Sequence, residues 1–151
     1  MKKNYISWNY YIDSCNLLAD KLKDQNFTDI ITIARGGHIP AAIVAYKLGI
    51  QRIYSHGVYS YDMVQAGERI KFPSHYQFVE SNFTDRNVLV IDEICDTGYT
   101  FVDLRKHLAE RGGNGQFIFA SIFYKTNNIY KPDYFIEEVP SDTWIVMPYD
   151  P

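Results

Sequence analysis

Three short runs set the frame for any fold this chain can adopt: Asp29–Ala34 (DIITIA), Asn87–Ile91 (NVLVI) and Gln116–Tyr124 (QFIFASIFY). Each is rich in β-branched or aromatic residues and reads as a buried strand. Between and around them lie segments with helical spacing. Trp8, Tyr11, Ile12, Cys15, Leu18, Ala19 and Leu22 fall on one predicted helix face, with Asp13, Asn16, Asp20 and Lys21 interspersed and Ser7 placed to cap the first turn. Ile39–Leu48 reads as a second helix, with Pro40 in its first turn and Gly49 as its stop. Thr100–Arg111 reads as a third, closed by Gly112-Gly113. Ile53–Tyr59 is a further strand, and Tyr134–Val146 holds two short extended runs separated by Val139-Pro140-Ser141-Asp142. Strands that alternate with helices imply right-handed crossovers, hence an α/β fold with a mostly parallel, twisted sheet flanked by helices. On such sheets ligands bind at the carboxyl ends of the strands.

The 151 residues suit a single domain, 1–151, and 46% hydrophobic with 22% charged residues excludes a disordered or fibrous chain. A net charge of -3 argues against a nucleic-acid footprint but not against a small phosphate ester, which backbone dipoles can hold on an acidic protein. Cys15 and Cys95 are far apart and form neither a disulfide framework nor a zinc motif. No apolar stretch follows the basic start Met1-Lys2-Lys3, and none approaches the ~20 residues of a membrane span. A soluble cytoplasmic protein without a membrane partner is the expectation.

The string from Val88 to Thr100, VLVIDEICDTGYT, carries the most chemistry. A buried strand delivers two adjacent carboxylates, Asp92 and Glu93, to its carboxyl end. Adjacent acids repel, so they suit a site where a cation such as Mg²⁺ or a hydroxyl-rich group such as a ribose diol lies between them. Asp96-Thr97-Gly98-Tyr99-Thr100 then turns into a helix whose free amides and hydroxyls form a phosphate cradle, with Gly98 allowing close approach. A bare Asp-Thr-Gly would be read as an ordinary capped turn; the two acids before it and the second threonine after it favour a ligand site. Arg35-Gly36-Gly37, at the end of the first buried strand, pairs exposed amides with a fixed cation suited to diphosphate. Asp62–Thr84 is polar, contains Gly67 and Pro73, and is long for a connection, as a lid or flap would be. Phe123-Tyr124-Lys125 ends a strand, and Asp142-Thr143-Trp144-Ile145 lies near the end of the chain; alone, these would be a solvated lysine and a hydrophobic plug.

Together these residues resemble the type I phosphoribosyltransferases, and within them the bacterial xanthine-guanine (hypoxanthine) group. The resemblance covers the chain from about residue 29 onward. It implies that Asp92 and Glu93 hold the ribose hydroxyls of phosphoribosyl diphosphate (PRPP), that Thr97, Gly98, Tyr99 and Thr100 wrap its 5′-phosphate, and that Asp96 is the catalytic acid or base near purine N7. It assigns pyrophosphate to Arg35, Gly36 and Gly37, in a loop that often carries a non-proline cis peptide. Ser60 and Tyr61 would begin a flexible flap over 62–84, from which Arg69, with Lys71 close behind, reaches the pyrophosphate. Lys125 would donate to the 6-oxo oxygen of a purine, Trp144 would stack on its ring, and the Ile145 backbone would meet its 2-position, within a small C-terminal hood formed by 126–151. Mg²⁺ is the implied cofactor, with Asp92 and Asp150 as its acids, and a homodimer or homotetramer is the implied assembly. Tyr124 departs from the group, which carries Ala there. The expected reaction is transfer of phosphoribose from PRPP to N9 of guanine, xanthine or hypoxanthine, a purine-salvage step. A non-catalytic PRPP- or nucleotide-sensing regulator and a pyrimidine phosphoribosyltransferase stay open as alternatives on the same fold.

Overall fold

The computed structural model of the 151-residue chain describes residues 1–65, 68–77 and 82–151, with side chains described over 1–58 and 82–151. In chain order the elements are β1 (Lys2–Tyr5), α1 (Trp8–Leu22), β2 (Asp29–Ala34), α2 (His38–Leu48), β3 (Arg52–Gln65), β4 (Glu68–Gln77), β5 (Asn87–Cys95), α3 (Tyr99–Arg111), β6 (Gln116–Lys125), β7 (Tyr134–Val139) and β8 (Thr143–Val146). The main sheet has the order β4-β3-β2-β5-β6-β7, and β1 and β8 form a separate two-stranded sheet. Five neighbouring strands of the main sheet are parallel; only β4 runs antiparallel, against β3. No helix among the described residues is long and apolar enough to cross a membrane.

Successive side chains on a strand face opposite ways, so a strand apolar on both faces needs cover on both. Ile30, Leu89, Ile91 and Ile122 meet Tyr11, Cys15, Leu18 and Leu22 of α1 and Val44 of α2 on one face. Ile31, Val88, Val90 and Phe119 meet Phe101, Leu104 and Leu108 of α3 on the other. Ser7 caps α1 by accepting from the Tyr10 amide at 3.1 Å, and Gly49 ends α2 in the left-handed region at φ 70°. Leu89, fully buried in the central strand, tests this packing. Leu89→Ala is expected to lower the unfolding free energy by about 2–5 kcal/mol. Urea titration should show this as a lower midpoint with an unchanged slope.

Four features differ from the sequence expectation. Trp8 and Ile12 are exposed rather than core, because the buried stripe of α1 is centred on Tyr11, Cys15, Leu18 and Leu22; the Trp8 ring packs instead against Tyr149, centroids 5.9 Å apart. The polar composition of Asp92–Gly98 predicts a turn, yet β5 continues to Cys95. Its backbone still has a ladder partner there, with Asp92, Ile94 and Cys95 opposite Ser121, Phe123 and Tyr124. β3 likewise continues past Tyr59 and pairs with β4, where an irregular segment was expected. Finally, Lys2–Tyr5 is a strand, in register with Thr143–Val146.

Candidate active site

Strands β2 and β5 lie side by side, so the Arg35-Gly36-Gly37 turn and the acid pair of β5 reach the same end of the sheet. They touch. A side chain on Gly36 would collide with the Glu93 carboxyl group, so glycine at that position leaves room for the acid. The Ala34–Arg35 peptide bond is cis. The Gly37 amide is already committed to the Ile33 carbonyl at 2.8 Å. The Gly37 amide, expected to face a diphosphate, is therefore spent inside the turn, and this residue contributes the space a side chain would fill, 2.6 Å from the Ile91 carbonyl.

Asp92 and Glu93 are partly buried, and among the described residues neither forms a salt bridge. The Glu93 amide donates to Asp92 Oδ1 at 2.7 Å, and Glu93 Oε2 is buried with no hydrogen-bond partner. Burial, and then the neighbouring Glu93 charge, hold the Asp92 carboxyl well above the usual carboxylate range. Burial and then the charge of Asp150 push Glu93 from 4.5 up to about 7, against a smaller opposing pull from Arg35. Glu93 thus feels both Arg35 and Asp150, which come from distant parts of the chain. Between pH 4.5 and about 7 the folded chain keeps a proton on Glu93 that the unfolded chain has released. Stability therefore falls as pH rises through that window. Glu93→Gln is expected to flatten that part of a plot of melting temperature against pH; an unchanged slope would remove Glu93 as its source.

Helix α3 begins at Gly98, at φ 90°, with no side-chain cap. Its first internal bond runs from the Val102 amide to the Gly98 carbonyl at 3.0 Å, which leaves the preceding amides of Thr97–Thr100 available to an anion. Gly98 was expected to admit a ligand closely. On the side that a Cβ would occupy, it faces Tyr130, whose backbone nitrogen would lie 2.8 Å from that atom. Thr97 and Tyr99 are exposed.

Asp96 does not cap α3. Its Oδ1 pairs with Lys125 Nζ at 3.1 Å, although the Lys125 side chain is only 8% exposed. The same ammonium lies 5.7 Å from the centroid of the Trp144 ring, which is itself half exposed. Three residues singled out from the sequence, on β6, on β8 and just after β5, therefore form one group: an acid, a cation and a flat aromatic surface. Parallel pairing uses alternate residues of a strand. The Ile6 amide bonds to the Val146 carbonyl, so Trp144 and Val146 direct their backbone groups at β1 and Ile145 directs its own toward the opposite edge.

Asp150 accepts from the Met147 amide at 2.8 Å in a turn after β8. The side chains of Ser60, Tyr61 and Arg69 lie outside the described residues. Sequence reasoning missed the contribution of β1, whose four residues carry no apolar alternation, and that of Asn128, which borders the loop before α3.

A model of the phosphoribosyl transferase domain matches residues 7–151, nearly the whole chain. The chain belongs to the phosphoribosyl transferase domain family. It is thus a pentosyl-transferring enzyme on the fold its sequence resembles. The structure is similar to that of a purine phosphoribosyltransferase from Pyrococcus horikoshii OT3, with 25% identity, a TM-score of 0.82 and coverage of 100% of this chain and 96% of that one. It is also similar to a hypothetical protein from Neisseria gonorrhoeae with bound ppGpp, at 23% identity and TM-score 0.76, covering 99% and 90% of the two chains. The xanthine-guanine-hypoxanthine phosphoribosyltransferase of Helicobacter pylori matches at 22% identity and TM-score 0.74, covering 98% and 94%.

Proposed function

We propose that this phosphoribosyltransferase acts on 6-oxopurines, joining the phosphoribose of PRPP to N9 of guanine, xanthine or hypoxanthine. The products are the nucleoside 5′-monophosphate and pyrophosphate, a salvage reaction. The observation that carries the reading is the Lys125 ammonium, held between Asp96 at 3.1 Å and the Trp144 ring at 5.7 Å. A purine on the indole face presents its 6-oxo oxygen to Lys125 and its N7 edge to Asp96. Adenine would offer an amino group to the ammonium and leave a buried donor unpaired. Stacking on an aromatic ring is worth about 1–3 kcal/mol per base.

In the proposed reaction the C1′–N9 bond forms as the bond from C1′ to the pyrophosphate oxygen breaks. Asp96 takes up the purine proton as charge leaves the ring. Thr97–Thr100 anchor the 5′-phosphate, Asp92 and Glu93 orient the ribose hydroxyls, and Arg35 and Gly36 face the departing diphosphate. Ser60, Tyr61 and Arg69 are proposed to close over the same group, as a flap spanning 62–84, and residues 126–151 with β1 to form a hood over the base. Asp92 and Asp150 are the acids proposed to hold Mg²⁺. The unpartnered Glu93 Oε2 and the carboxylates around it fit a site that receives a cation. When bound, Mg²⁺ supplies neutralisation of diphosphate charge, and hard cations of this kind keep substrate oxygens and water as their other ligands. A cytoplasmic homodimer or homotetramer is part of the same proposal.

The test is incubation with PRPP, MgCl₂ and, one at a time, guanine, xanthine, hypoxanthine, adenine, uracil and orotate, followed by chromatography of the nucleotides. Monophosphates of the 6-oxopurines are expected. Product only from uracil or orotate would give the pyrimidine reading instead, and PRPP binding without turnover of any base would give a sensor.

A further inference from the structure

The loop Asp96–Gly98, between β5 and α3, is held from behind by residues 128–130, and we propose that Asn128 is a positioning residue for the 5′-phosphate site. This rests on the reading of Thr97–Thr100 as the phosphate cradle. Asn128 Nδ2 donates to the Cys95 carbonyl at 3.1 Å and to the Asp96 carbonyl at 3.2 Å. The Ile129 amide donates to the Thr97 carbonyl at 3.1 Å. Three consecutive carbonyls, of Cys95 at the end of β5 and of Asp96 and Thr97 in the loop, are thus turned toward this strap. In a planar trans peptide the carbonyl of one residue and the amide N–H of the next point in opposite directions. Among the described residues only the Ala34–Arg35 bond is cis. Drawing the carbonyls of Cys95, Asp96 and Thr97 backward therefore turns the amides of Asp96, Thr97 and Gly98 forward, to the side where an anion would sit. The cradle is set by Asn128 rather than by the loop alone.

The strap is itself well held. Asn128 Oδ1 accepts from the Tyr130 amide at 2.8 Å, which closes the turn that presents Nδ2. The Tyr130 hydroxyl accepts from Arg105 Nε of α3 at 2.8 Å, and the Arg105 guanidinium lies 4.4 Å over the Phe119 ring. Asp133 accepts from the Phe119 amide at 2.8 Å and fixes the far end to β6. The strap reaches Gly98 closely, since an added Cβ there would meet Tyr130. Asn128 therefore links a rigid anchor on α3 and β6 to the loop that carries both the phosphate amides and Asp96.

The test compares Asn128→Leu, which keeps the side-chain volume without hydrogen bonds, with the unmodified chain. Initial rates give separate KM values for PRPP and guanine, and calorimetry with ribose 5-phosphate gives the affinity of the phosphate site without turnover. Loss of donors to two backbone carbonyls is expected to raise the KM for PRPP and the Kd for ribose 5-phosphate by about tenfold, with the KM for guanine changed less than about threefold. Asn128→Asp keeps the acceptor for Tyr130 while losing the donors, and serves if the leucine variant does not fold. Its weaker binding should persist at ~1 M salt, where the screening length is ~3 Å. Unchanged PRPP and ribose 5-phosphate binding in a folded variant overturns the proposal. So does a defect that vanishes at high salt, or an equal loss for both substrates together with a lower melting temperature. Absence of PRPP turnover and of ribose 5-phosphate binding in the unmodified chain would overturn the functional reading itself, a result visible before any variant is made.

Discussion

Asp96→Asn is expected to reduce turnover of guanine, xanthine and hypoxanthine by about 10²–10⁴-fold, the range that a positioned acid or base commonly supplies. PRPP affinity should stay within a small factor of the parent. The separation of the two effects follows from the structure. Asp96 does not cap α3, whose N-cap is Gly98, so the loop loses no side-chain cap. The Asn128 side chain donates to its backbone carbonyl, so that tie survives the change. Asparagine keeps an oxygen for Lys125 to donate to, so the partner ammonium is not left bare. What disappears is a group able to take the purine proton. Steady-state kinetics with each base and calorimetric titration of PRPP measure the two quantities. Parent-like turnover would remove Asp96 from the mechanism, and lost PRPP binding would show that its role is to build the loop.

The second large effect is expected at Lys125. Lys125→Met preserves an unbranched side chain in a buried slot and deletes the charge. A hydrogen bond from a charged group is worth about 1.5–3 kcal/mol, so kcat/KM for the 6-oxopurines should fall by about 10–150-fold. Adenine, which gains nothing from the ammonium, should lose far less, and the ratio of guanine to adenine turnover should contract. The KM for PRPP should move little, because Lys125 is proposed to meet the base and not the sugar phosphate. Competition between the two bases in one reaction reads the ratio directly. An unchanged ratio would mean that another group selects the base.

Much of this was legible in the residues because strong local patterns coincided with the global fold. The runs at Ile30, Leu89 and Phe119 are apolar on both faces, and only a covered sheet accommodates that. Ser7 and Gly49 marked helix ends for local stereochemical reasons. The turns at Arg35-Gly36 and Asp96–Gly98 stand at the ends of such strands, so their place was visible from the residues. The features that escaped are the non-local ones. Lys2–Tyr5 has no hydrophobic signature, and its pairing with Thr143–Val146 depends on backbone groups brought from the other end of the chain. The continuation of β5 through Asp92–Cys95 is licensed by its neighbour β6, not by its own polar side chains. Asn128 belongs to a connection between β6 and β7, and the carbonyls it donates to lie more than 30 residues away. Periodicity carries no trace of such a bond. The role expected of the Gly37 amide failed for a related reason: its use inside the turn depends on the Ile33 carbonyl, which residue type does not reveal.

The register of Lys2 opposite Thr143 through Tyr5 opposite Val146 has a consequence for biosynthesis. β1, the strand beside Trp144 and Ile145, is translated before the main sheet, and its partner β8 only after β7. A growing polypeptide can assemble the central β2 and β5 ladder, with Asp92, Glu93 and the Arg35-Gly36 turn, before β8 is made. The β1-β8 pair, with the Trp144 proposed to stack on the base, is therefore completed after the central ladder. Bulky fusions ahead of Lys2 should disturb base selection sooner than sugar-phosphate capture.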